Sequence, residues 1–140
     1  LTINPPQPTT NVYPSFVSKV DSDGNEIAGI RLPPVAVPVA TTAGWNLRAN
    51  VFGGPDGCES SGTLIPFAID ATTRTAKGDP RPSLTERYGT HAAYTAQVTA
   101  AASALQAQRL LLPADVSKYT AAAANPVAVV NNPVYGTYTW

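Results

Sequence analysis

The sequence has no methionine, one cysteine and one histidine. A single Cys cannot close an internal disulfide, and one Cys with one His cannot complete a four-ligand zinc site of those residue types. Charge is scarce and balanced: nine basic and nine acidic side chains make up 13% of the chain and cancel. That leaves no electrostatic footprint for nucleic acid or an anionic membrane surface. No apolar run approaches the ~18 residues of a membrane span. Large apolar side chains are also few, with three Phe and two Trp among 140 residues. Much of the 44% hydrophobic content is Ala, 22 residues in all. Ala buries little area, so an independent core would be thin for this length. A chain that opens on Leu1 and holds no Met reads as a processed product or part of a larger protein, finishing its core against something else.

Pro and Gly, by contrast, are plentiful. Fourteen Pro and ten Gly come to roughly 17% of the chain, against an average of about 12%. The uncharged, Pro-rich residues 1–15 read as an extended arm, since Pro blocks both helix and central strand; a disordered terminus is the alternative. Phe16 to Val20 and Glu26 to Leu32 are β-prone runs around Asp21-Ser22-Asp23-Gly24-Asn25, which has the turn chemistry of a hairpin. Pro33-Pro34 ends the second run. Val35, Val37 and Val39 then alternate with Ala36, Pro38 and Ala40, as an extended edge segment does.

Thr41 to Lys77 reads as loop-dominated, with the Gly-rich stretch Phe52 to Gly62 around Cys58 and a short apolar plug at Leu64 to Ala68. The helical part begins near Ser83, where Ser83 and Glu86 have capping-box spacing. Thr90 caps a longer helix running to about Leu111, with Tyr94, Val98, Ala101, Ala102 and Leu105 on its apolar stripe. Pro113 suits the first turn of the next helix, Ala114 to Ala124, closed by Asn125-Pro126. Residues 126–140 form an uncharged, aromatic docking tail.

Few residues offer chemistry. Asp21-x-Asp23-Gly24-Asn25-Glu26 has the carboxylates of a calcium loop, but Leu32 stands where the bidentate Glu would be needed; an acidic turn fits better. A hydrolytic triad needs a nucleophile, a His and a carboxylate. No Gly-x-Ser-x-Gly elbow occurs, and His91, the lone imidazole, falls just inside a helix and reads as a solvated or capping residue. Cys58 lies between Asp56 and Glu59, which raise a thiol pKa. It is either a free thiol or paired with a Cys elsewhere in an oxidising compartment. Arg31, Arg48, Arg74, Arg81 and Arg87 are scattered and read as surface or ion-pair residues, with Arg48 able to anchor the loop after Trp45. No residue is assigned as catalytic, substrate-binding or metal-ligating, and no cofactor is expected.

Several unusual strings recur in one order. Val20-Asp21-Ser22-Asp23-Gly24-Asn25-Glu26-Ile27-Ala28-Gly29-Ile30-Arg31-Leu32-Pro33 precedes Gly44-Trp45-Asn46-Leu47-Arg48. Ile65-Pro66-Phe67-Ala68, Gly78-Asp79-Pro80-Arg81-Pro82-Ser83-Leu84-Thr85-Glu86-Arg87-Tyr88 and Gln108-Arg109-Leu110-Leu111-Leu112-Pro113 follow. From about Val17 to Ala124 the chain resembles the C-terminal part of a family of large bacterial α/β-hydrolase-domain proteins. The resemblance implies an α/β parent fold, of which this chain supplies a β-hairpin, long loops and two or three C-terminal helices. Residues 16–125 would be the C-terminal part of the hydrolase-like domain. It implies a serine esterase scaffold whose elbow lies outside these residues, with Trp45 and the Gly-rich loop after it at the rim of the site. It favours a structural disulfide for Cys58, hence a secreted or periplasmic setting, and gives His91 no motif role. The expected partner is the remainder of the hydrolase chain or a partner subunit, with no nucleic acid and no membrane. A non-enzymatic accessory or structural chain that wraps a partner is the alternative.

Overall fold

The computed structural model describes residues 16–47, 58–59, 62–125, 131–132, 136–137 and Trp140. The elements begin with helix α1 (Pro33–Ala36) and strands β1 (Ala40–Ala43), β2 (Asn46–Leu47), β3 (Cys58–Glu59) and β4 (Thr63–Pro66). Helices α2 (Ala71–Lys77), α3 (Leu84–Tyr88), α4 (His91–Ala107) and α5 (Pro113–Ala124) follow, then β5 (Asn131–Asn132) and β6 (Gly136–Thr137). The strands pair only in antiparallel twos: β1 with β4, β2 with β3, β5 with β6. In the longest ladder Ala40 lies opposite Pro66 and Ala43 opposite Thr63. The arm expected at residues 1–15, Arg48 and most of the Gly-rich loop lie outside the described residues, as does most of the tail.

Helix signals in the sequence work as their chemistry dictates. Ser83 accepts from the Glu86 backbone N–H while the Glu86 carboxylate accepts from the Ser83 N–H at 2.8 Å, a complete capping box. Thr90 accepts from the Ala93 N–H at 3.2 Å and opens α4. Asp70 does the same for α2 through Thr73 at 2.7 Å. α4 stops at Ala107 rather than near Leu111. Arg109 takes a left-handed φ of 62°, and the N–H groups of Arg109 and Leu110 return to the carbonyls of Gln106 and Leu105, each at 2.9 Å. This is a Schellman closure with Arg in the place Gly usually takes, so no glycine in the sequence marks the stop.

Two β expectations do not hold. The runs flanking Asp21–Asn25 form no hairpin ladder, only a single antiparallel bridge between Val20 and Glu26. The turn itself is tight: the Asp21 carboxylate accepts the N–H groups of Asp23 and Asn25 at 3.0 Å each. Gly29 then enters the left-handed region at φ 78° and takes the chain out of register. The extended edge expected at Val35–Val39 is instead partly helix α1, because Pro33 supplies the preset φ of a first helical turn and needs no N–H donor there. The helix is capped at Val37, and strand begins only at Ala40. The region from Thr41 to Lys77 also holds β1, β4 and α2, more regular structure than loop chemistry suggests. Within the apolar plug, Phe67 and Ala68 are buried, but Leu64 and Ile65 are exposed.

The core has two joined parts. Phe67 and Leu84 are completely buried and meet Val39, Tyr88 and Trp140. Val37, Tyr94, Val98 and Ala123 form the second, against the same three residues together with Ala101 and Tyr119. Tyr94, Val98 and Ala102 are the buried residues of α4, the stripe the periodicity predicts; Ala101 and Leu105 lie half-buried beside it. Thr95 of α4 donates to the Ala123 carbonyl of α5 at 3.1 Å, tying together two Ala-rich faces that offer few large side chains.

Candidate functional site

The buried polar network is built on Asn25, which is fully buried. Its amide donates to the Ala40 carbonyl at 3.1 Å and accepts from the Thr42 N–H at 2.8 Å. Both groups face the same edge of β1, the one away from β4, so the side chain takes the place of a neighbouring strand and satisfies that edge. Thr41 donates to the Asp23 carbonyl alongside. The 21–26 turn is thus pinned to β1 from above.

Arg31 and Arg87 fasten its carboxylates, and Arg81 fastens the β4 end beside it. Arg31 reaches Asp21 at 2.7 Å and the Val35 carbonyl at 2.9 Å. Arg87 forks onto both carboxylate oxygens of Asp23, at 2.8 Å for the Nη1 arm. Arg81 binds Asp79 at 2.6 Å and the carbonyls of Ile65 and Pro66. The guanidiniums of Arg81 and Arg87 lie 4.9 and 4.3 Å from the Phe67 ring centroid, within cation–π range. Burial works to raise the Asp21 pKa, but the N–H of Asn25, the Arg31 side chain and the N–H of Asp23 bring it below the ordinary carboxylate value. The Arg81 side chain does the same for Asp79. The Asp21–Glu26 loop is therefore an ion-paired turn, with Asp21 and Asp23 engaged by Arg31 and Arg87. Among the described residues no group of three or more His, Cys, Asp or Glu gathers as a metal centre would require.

His91 sits at the first position of α4 in an aromatic cluster. Its ring stands edge-on to Trp140 with centroids 5.6 Å apart, and Tyr94 lies 6.0 Å away. Its Nε2 is buried and has no hydrogen-bond partner among the described residues, so no Ser–His pair forms there. Burial pushes the Tyr88 phenol up to about 12 and raises that of Tyr94; neither is a base at neutral pH. Cys58 is placed by its backbone register opposite Leu47.

One cleft remains. It encloses about 440 Å³ between the 17–26 segment and the β1–β4 ladder, with Val17, Val20, Trp45 and Ile65 in its lining. Trp45 is the residue expected at a rim from the sequence, and the fold brings it to this cleft. The Asn25 anchor and the double stacking on Phe67 were missed. Neither leaves a local sequence signal, because the partners lie 14 to 20 residues apart.

The family comparison agrees with this chain's motifs. The alpha/beta hydrolase domain family matches residues 2–121, so the chain belongs to that family. Its antiparallel strand pair β1–β4 and several helices are consistent with part of an α/β fold. Neither a curated protein nor a solved structure matches the chain.

Proposed function

We propose that the chain is the C-terminal part of a serine esterase of the α/β-hydrolase class, contributing scaffold and the rim of the site. The nucleophile then comes from the remainder of the hydrolase or from a partner subunit. The observation that carries this reading is a family match over residues 2–121 in a sequence without any Gly-x-Ser-x-Gly. An elbow strand and a Ser–His contact are the minimum machinery of such an enzyme. The single His is instead packed edge-on against Trp140, its Nε2 without a hydrogen-bond partner among the described residues. Exposed apolar side chains, Phe16 and Val17 among them at 90% and 80%, suit a chain that completes its packing elsewhere.

The test is hydrolysis of p-nitrophenyl acetate by the 140-residue chain alone. No turnover above buffer is expected. Turnover that His91→Ala abolishes would overturn the reading and place the chemistry within these residues.

A further inference from the structure

The cleft beside Trp45 has a composition that selects its ligand. Its volume of about 440 Å³ lies in the range of small-molecule sites, roughly 300–1,000 Å³. Three threonines line it, Thr41, Thr42 and Thr63, and each hydroxyl is already committed within the protein. Thr41 Oγ1 donates to the Asp23 carbonyl and accepts from Arg81. Thr42 Oγ1 donates to Asn25 Oδ1 at 3.1 Å, and Thr63 Oγ1 to the Trp45 carbonyl at 2.9 Å. A ligand therefore finds no free hydroxyl donor in these three residues. Val17, Val20, Ala43 and Ile65 add aliphatic surface, and the Trp45 indole, 46% exposed, adds a flat one. Among the described residues, Ser18 and Asn46 complete the polar lining, and Glu26 is its one charged residue.

We propose that this cleft binds the uncharged hydrocarbon arm, acyl or aryl, of an ester. Apolar surface supplies the attraction, which grows with each methylene buried. The Glu26 carboxylate, with no cation among the described lining residues to offset it, disfavours an anion of the same length. A carboxylate released by hydrolysis is thus held less well than the ester. The naming of an ester rests on the esterase reading above; the preference for an uncharged chain rests on the lining alone. Gly24 belongs to the same wall: a Cβ there would stand 2.8 Å from Thr41 Cγ2, so the wall is shaped by close backbone approach.

The test is a titration of the 140-residue chain with 2-nonanone, a non-hydrolysable stand-in, and separately with nonanoate. It is followed by the indole N–H resonance of Trp45 in two-dimensional NMR, with Trp140→Phe assigning the two indole signals. The ketone is expected to shift the Trp45 resonance saturably and to bind at least about tenfold tighter than nonanoate. Trp45→Ala should weaken ketone binding about tenfold, read from the Val17, Val20 and Ile65 methyl resonances. The inference is overturned if the Trp45 signal stays fixed, if nonanoate binds as well as the ketone, or if Trp45→Ala binds unchanged. These outcomes are independent of catalysis. Ketone binding without esterase activity in the native species would sink the esterase reading alone, and activity with an unresponsive cleft would sink only this inference.

Discussion

Arg87 closes a two-armed ion pair with Asp23, a residue 64 positions earlier, while its guanidinium rests 4.3 Å from the Phe67 centroid. The side chains are only 16% and 10% exposed. One contact thus locks the 21–26 turn to α3 and lids the inner core. Removing one partner of such a pair strands the other charge in a poorly solvated place. Arg87→Met should cost about 3–5 kcal/mol in urea unfolding. Pairing it with Asp23→Asn should recover much of that loss, as a double-mutant cycle would show.

Glycine substitutions separate backbone strain from close packing. Gly78 caps α2 at φ 64° with open space around its missing Cβ, so Gly78→Ala should cost about 1–2 kcal/mol, the penalty of the left-handed region. Gly24 has φ 81° and in addition faces Thr41 Cγ2 at 2.8 Å. Gly24→Ala should cost more by roughly 1–3 kcal/mol of overpacking. Equal losses in parallel denaturation curves would contradict the close approach.

Acid should loosen α3. The Ser83 hydroxyl and N–H, with Arg74, lower the Glu86 pKa from the usual 4.5 to about 2. A depressed folded-state pKa contributes stability that is complete above the unfolded value and is lost as pH falls through the folded one. The contribution should therefore be intact at neutral pH and fade from pH about 4.5 towards about 2. The melting-temperature gap between wild type and Glu86→Gln should be widest near neutrality and narrow over that interval. Asp21, Asp70 and Asp79, all lowered, remain in both proteins and leave a shared acid transition.

Helix boundaries were legible wherever a local signal sets them. Ser83–Glu86, Thr90 and Pro113 each act through groups within four residues, and the structure places all three as the sequence predicts. The α4 terminus was not legible, because Arg109 adopts a left-handed φ that sequence reasoning reserves for Gly or Asn. The hairpin failed for the opposite reason. Its turn chemistry was real, but Gly29 leaves the extended region at φ 78°, and Asn25 is anchored on β1 by partners 15 and 17 residues away. Of the site, Trp45 was legible as an exposed aromatic beside glycine. The cleft it borders needs Val17, Val20 and Ile65 in one place, which only the fold supplies.

The most direct measurement of the central claim is labelling of the native species with a fluorophosphonate, followed by mapping of the modified serine by mass spectrometry. The account predicts a labelled Ser in a Gly-x-Ser-x-Gly segment, on a peptide outside the 140 residues but linked to or co-purifying with them. A label on a serine of this chain, such as Ser61 or Ser83, would contradict it.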